Sequence, residues 1–232
     1  MKTIAFIGAY DKIDLILYIA KLIATMKKKV LVIDATITQK AKYIVPAINP
    51  TKSYVTEFEG IDVSVGFYNY SDIKNYLSLS DTQKLDYDVI LIDVDNIEAI
   101  DNLNIKMATK KYFVTSFDLY SLKKGLEIIR EINDSIEFTK VFFAKELLRE
   151  DNEYLDFLSV GHGITWSENK IFFPLNLTDQ LVIMENQKIS KLKFKRLSEE
   201  YKSNVIYMTE EILTDITLNE IKRAYRIIER EE

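Results

Sequence analysis

The chain has 232 residues, 47% of them hydrophobic and 12% aromatic, which is enough to bury a sizeable core and too apolar for a disordered segment. A formal net charge of −5 argues against a general polyanion binder, which carries a basic excess. No cysteine is present, so disulfides and thiolate metal sites are ruled out. The lone histidine, His162, cannot build a multi-histidine metal site and argues against a Ser-His-Asp triad.

The first apolar run, "KTIAFIG" (2–8), reads as a buried strand. A short loop with Gly8, Asp11 and Lys12 follows, and then "IDLILYIAKLIATM", apolar almost all round and so expected as a deeply buried helix. "KVLVIDA" (29–35) is the next strand. The stretch 51–70, "TKSYVTEFEGIDVSVGFYNY", alternates around Glu59-Gly60 and predicts a β-hairpin or two edge strands. "YDVILIDV" (87–94), "KKYFVTS" (110–116), "TKVFFAK" (139–145) and "KIFFPL" (170–175) complete the strands. Near-continuous apolarity is what a parallel sheet covered on both faces requires.

Between the middle strands, "DLYSLKKGLEIIREIN" starts at a capping aspartate, Asp118, and sets Leu119, Leu122, Leu126 and Ile129 on one side. After Pro174 come polar helical patterns: "LTDQLVIMENQK", "SKLKFKRLSEEYKS", "NVIYMTEEIL" and "TLNEIKRAYRIIERE". The expectation is an α/β, doubly wound, mainly parallel sheet with helices on both faces. It forms one domain over 1–232, with 175–232 as an integral helical layer. "LILYIA" is far shorter than the ~20 apolar residues of a membrane helix, and no export signal is read, so a cytoplasmic protein is expected. The lack of cysteine fits that compartment.

In such folds chemistry sits at the carboxyl ends of the strands. Three ends stand out: "GAYDK" (8–12), "VIDAT" (32–36) and "LIDVDN" (91–96). A lysine facing two acidic strand ends suits a magnesium–triphosphate site, the lysine on phosphate oxygens and an aspartate on the metal's water shell.

The order of parts resembles the ParA/MinD-type P-loop ATPases, the deviant Walker A group, over most of the chain. "IAKLIATMKKKVLVIDAT" is similar to the segment that follows the family's P-loop and ends at its switch aspartate. "YDVILIDVD" resembles its Walker B strand, and "KKYFVTSFDLYSLKKGLEIIREI" its VTxP(D/E)xxSL element. "FFPLNLTDQLVIMENQK" resembles the strand and helix that flank its base pocket. The resemblance implies a P-loop NTPase-like fold and ATP or ADP as ligand. It puts Lys12 on the P-loop lysine, Asp34 on the acidic residue after the second strand and Asp93 on the Walker B aspartate.

The departures from K-G-G-x-G-K-[ST] are as informative. Ile7 or a residue near it stands where the extra lysine falls, the loop after Gly8 is short, Asp11 replaces the glycine before the lysine, and Ile13 replaces the magnesium-binding hydroxyl. Glycines let backbone N–H groups close on phosphate. A carboxylate there repels phosphate by about 4 kcal/mol at ~4 Å and an effective dielectric of ~20. Isoleucine cannot ligate magnesium. The expectation is therefore a degenerate loop in a pseudo-ATPase with weak or absent hydrolysis. Its role would be that of a positioning or assembly factor for an envelope, pilus or secretion machine, as the CpaE/TadZ type within this wider group implies. An active slow ATPase switch and a receiver-like or flavodoxin-like binding domain are the alternatives.

Each residue also has a plainer reading. Lys12 caps a turn or pairs with Asp11 or Asp34. Asp93 caps a helix near Asn96, Asp14 is a first-turn aspartate, His162 is a loop residue and Trp166 a core contact. The basic stretch 188–197, with Lys188, Lys191, Lys193, Lys195 and Arg196, is a solvated helix face or meets an acidic lipid, nucleic acid or partner. The terminal stripe Leu218, Ile221, Tyr225 and Ile228 docks on the domain or a partner in preference to membrane, because glutamates dilute its basic face. Protein partners are expected and specific nucleic acid is not. A homodimer independent of nucleotide would use the helices or the aromatics Tyr54, Phe58, Phe67, Tyr68 and Tyr70 of 51–70.

Overall fold

The structure, a computed structural model, describes residues 1–47, 52–79, 83–132, 136–146 and 148–231. Its centre is an eight-stranded sheet of β1 (Lys2–Ile7), β2 (Val30–Asp34), β3 (Tyr54–Phe58), β4 (Ile61–Val65), β5 (Val89–Val94), β6 (Lys110–Thr115), β7 (Ile136–Ala144) and β8 (Ile164–Pro174). The order is β3-β4-β2-β5-β1-β6-β7-β8, and every pairing is parallel except β3 with β4. This is the α/β P-loop NTPase-like architecture. A flavodoxin-like sheet keeps its first two strands adjacent, whereas here β5 lies between β1 and β2, so the receiver-like alternative falls.

Strand alternation sorts the core into two layers. Ile4 and Phe6 of β1 and Val30 and Val32 of β2 face one layer. Ala5, Ile7, Leu31 and Ile33 face the other. On the first face lies α1 (Ile13–Thr25), nine of whose residues are buried. It packs between β2 and two later helices, α8 (Glu199–Ile212) and α9 (Leu218–Glu231), which explains its all-round apolarity. The short α2 (Ala41–Ile44) adds Ala41 and Ile44 to this face, and α7 (Leu177–Lys188) adds Val182. On the second face lie α3 (Tyr70–Tyr76), α4 (Ile97–Asn102), α5 (Leu119–Arg130) and α6 (Arg149–Ser159).

The 51–70 stretch is a hairpin. Its turn residues Glu59 and Gly60 both have positive φ, 56° and 82°, as a two-residue turn that follows strand twist demands. Residue 51 itself lies outside the described residues. Tyr54, Phe58 and Phe67 are buried in the chain's own core, so the aromatic set divides, with Tyr68 exposed. Asp118 caps α5 by accepting from the Ser121 N–H (2.9 Å), and Leu122, Leu126 and Ile129 are buried while Leu119 points out.

Two elements differ from the sequence reading. β8 begins at Ile164, six residues before the apolar run, because its first half pairs with β7 at the sheet's rim, where polar side chains are tolerated. The basic stretch 188–197 is not a helix face. α7 ends at Lys188, and residues 190–197 run as turn and extended chain up to Ser198, which caps α8 by accepting from the Tyr201 N–H. Leu192 and Phe194, two residues apart, are both buried there, a spacing that one face of a helix does not produce. Among the described residues no helix is long and apolar enough to cross a membrane.

Candidate functional site

β1, β2 and β5 end side by side. Their in-register pairing sets Asp34 directly beside Asp93 and brings the loop after β1 over both. Gly8 ends β1 at φ 147°, donating to the Val94 carbonyl (3.0 Å), and a Cβ there would sit 2.0 Å from the Val114 carbonyl oxygen. Close packing against β6 thus requires this glycine. Three residues, Ala9, Tyr10 and Asp11, part Gly8 from Lys12. In G-x-x-x-x-G-K loops five residues stand between the first glycine and the lysine, so this loop is shorter by two.

Lys12 immediately precedes α1 and is 3% exposed. Its ammonium lies 2.6 Å from Asp93 Oδ1 and donates to the Gly8 carbonyl (2.9 Å). The partner is Asp93, not the Asp11 or Asp34 expected as the lysine's plainer partners. Asp93 does not cap α4 either: Asn96 does, accepting from the Ala99 N–H at 2.9 Å. The Lys12 ammonium is the partner of Asp93 Oδ1, which is fully buried. Complete burial pushes the Asp93 carboxyl up to about 7; Lys12 pulls the other way and Asp34 adds repulsion. Burial outweighs the ammonium because neither charge retains water.

Asp34 is spent on its own loop. It accepts from the Thr36 hydroxyl (2.6 Å), the Thr36 N–H (3.1 Å) and the Ala41 N–H (2.8 Å), while burial raises its carboxyl above the usual range. Asp95 accepts from the Ile37 N–H (2.8 Å), and Asn96 donates to the Ala35 carbonyl (2.7 Å), stitching the β2 and β5 loops together. Ile13 is buried at the first position of α1.

Asp11 pairs with Lys40, whose ammonium also donates to Asp14 Oδ2 (3.2 Å). Asp14 takes a second bond from Gln187 Nε2 (2.8 Å), tying α1 to α7. Burial raises the Asp14 carboxyl despite Lys40. Lys40 carried no motif signal, and Gln187 stood only within the stretch likened to the base-pocket helix: their part follows from chain crossings that put residues distant in sequence on one rim. Beside them a cavity of about 290 Å3 opens between the loop, the ends of β7 and β8, and α7. Tyr10, stacked on Phe143 at 4.9 Å, lines its apolar side, and Asp179, Gln180 and Gln187 its polar side. His162 lies away from this rim, exposed in the turn before β8, and Trp166 packs on Phe113 and Phe138.

These residues do not fit a magnesium triphosphate. The lysine's charge is engaged within the fold, the hydroxyl position is an isoleucine, the loop is short, and the Asp11 carboxylate, accepting from the Ile13 N–H (3.4 Å), stands just ahead of α1 where phosphate would sit.

Fold and strand-end arrangement together define the class: a P-loop NTPase-like α/β protein. Its likenesses among solved structures are ParA/MinD-type proteins. One, from Borrelia burgdorferi B31, is described as a plasmid partition protein bound to AMPPNP; it is 16% identical, with 93% of this chain and 99% of that chain covered at a TM-score of 0.62. A ParA family ATPase from Chlorobium tepidum TLS is 11% identical over 90% and 97% at 0.58. A MinC:MinD cell division complex from Aquifex aeolicus is 13% identical over 94% and 97% at 0.55. No family model matches the sequence, and no curated relative does.

Proposed function

We propose that this chain is a pseudo-ATPase on the ParA/MinD fold. It acts as a positioning or assembly factor for a bacterial cell-envelope, pilus or secretion machine, working through protein contacts at the cytoplasmic side. One observation carries the reading: the Lys12 ammonium, 2.6 Å from Asp93 and buried, serves as the internal counter-ion of the sheet's acidic end. A lysine so placed stabilises the loop and must break this pair to reach phosphate. Ile13 and Asp11 support the same reading. Partition and division proteins share the fold, which supports a positioning role. The resemblance to the CpaE/TadZ type supports the choice of machine.

The second reading, a slow ATPase switch, is favoured by the cavity beside the loop and by the AMPPNP in the Borrelia protein. It requires Lys12 to leave Asp93. The discriminating experiment is twofold: mass spectrometry of denatured protein for carried ATP or ADP, and turnover of added Mg-ATP. No carried nucleotide and no turnover above background are expected. Turnover of about 1 s−1 or more, lost in Lys12→Ala, overturns the pseudo-ATPase.

A further inference from the structure

The stretch after α7 builds a second feature, on the outer face of the molecule and independent of the nucleotide question. A groove of about 420 Å3 is lined by the buried Val182 and Asn186, the exposed Ile189, and the cations Lys188, Lys193, Lys195 and Arg196. Glu185 is the one carboxylate lining it, and it is paired with Arg196. Lys188 and Lys193 carry no ion pair among the described residues. Lys191 points elsewhere, to Glu59 at 2.8 Å.

The groove is held rigid from below. Asn186, 5% exposed, donates to the Lys193 carbonyl (2.8 Å) and to the Tyr18 hydroxyl (2.7 Å), and Tyr18, 1% exposed, donates to the same carbonyl (3.3 Å). Leu192 and Phe194 are buried on either side of Lys193, so its side chain is directed outward. Two buried polar groups thus fix the backbone at Lys193, so the position from which its side chain extends is set before a partner arrives.

We infer that this groove is a docking site for an acidic, extended segment of a partner protein. An extended chain sends alternate side chains to opposite sides, so the carboxylates of an alternating acidic segment face the lysines together. Lys188 and Lys193, unpaired among the described residues beside the one carboxylate, which Arg196 already pairs, supply the complementarity. A nucleic acid strand is disfavoured because no aromatic side chain lines the groove for base stacking. A lipid surface is planar and takes up polybasic stretches of several cations together with exposed apolar side chains, whereas this site is concave and its exposed apolar residue is Ile189 alone.

The test uses the full chain and a fluorescein-labelled peptide of about ten residues alternating glutamate and alanine, read by fluorescence anisotropy. Binding is expected to weaken by about tenfold in Lys188→Glu/Lys193→Glu and again as salt rises from ~50 to ~300 mM. It should persist in Lys222→Glu/Arg223→Glu on the exposed face of α9. If the double reversal lowers the melting temperature, Lys188→Gln/Lys193→Gln provides the same comparison. The inference is overturned by absence of binding at millimolar peptide, or by equal binding of the matched glutamine peptide. Equal loss in the α9 variant overturns it too. So does tighter binding of duplex DNA or phosphatidylglycerol vesicles with the same dependence on Lys188 and Lys193.

Discussion

At the scale of single residues, the acidic strand ends make stability depend on pH in an unusual sense. Burial raises the carboxyls of Asp93, Asp34 and Asp14, Asp93 to about 7. Unfolded, each titrates near ~4. Between those values the folded chain holds more protons than the unfolded one, so stability falls as pH rises from ~4 to ~7. Calorimetry should therefore show the melting temperature rising as pH is lowered from ~7.5 to ~5.5, with a flatter profile in Asp93→Asn. The partners of the buried pair are not equivalent. Asp93→Asn makes permanent the neutral form that burial favours, so its cost relative to wild type should be smallest near pH ~7.5 and grow as pH falls to ~5.5. Lys12→Met leaves a carboxyl that takes up a proton, so its cost should shrink as pH falls from ~8 to ~6. Equal, pH-independent costs would refute the buried-pair account. A second contrast concerns glycines. Gly8→Ala drives a Cβ to 2.0 Å from a main-chain oxygen and should cost more than about 3 kcal/mol. Gly161→Ala meets open space and bears only the strain of φ 80°, about 1 kcal/mol.

At the scale of elements, the buried strands and α1 were legible because continuous apolarity has one meaning in a sheet covered on both faces. The end of α7 was not, since "KISKLKFKRL" offers lysines at a spacing that suits a helix as well as an extended chain. What decides is tertiary: Asn186 and Tyr18 seize the Lys193 carbonyl, and Leu192 and Phe194 find a core beneath them. The Lys12–Asp93 pair was half legible. Both residues stood at strand ends, but which acid meets the lysine depends on β1 pairing directly with β5, and sheet order is not written in local pattern. The join between α7 and α8 was likewise hidden. Asp179, 3% exposed, accepts from the Asn176 side chain (2.7 Å) and from the N–H and hydroxyl of Ser198 (both 2.6 Å), clamping the starts of two helices. Asp179→Ala should cost about 2 kcal/mol or more, because it leaves several buried donors unpaired. Urea denaturation measures it, and a change under ~0.5 kcal/mol would show that water replaces the carboxylate there.

At the scale of the whole molecule, two surfaces that the sequence offered for association are used internally. The stripe of α9 buries Ile221, Ala224 and Ile228 against the fold, packed on α1 and α8. Tyr54, Phe58 and Phe67 of the hairpin region are likewise core. A nucleotide-bridged dimer, which the ParA/MinD resemblance implies, would have to form at the carboxyl edge of the sheet. There Lys12 is withdrawn to Asp93, and Lys40 is held between Asp11 and Asp14. Either of these two lysines would have to break its pair before it could reach a second subunit's phosphates. The same edge exposes Ile37, Tyr43, Leu119 and Tyr120, apolar side chains whose burial in a contact would need no nucleotide. The mass measured by sedimentation velocity should therefore be the same with and without Mg-ATP, whether the chain runs as one copy or two. A monomer that becomes a dimer only on adding Mg-ATP would show that Lys12 does leave Asp93. It would replace the pseudo-ATPase with the switch.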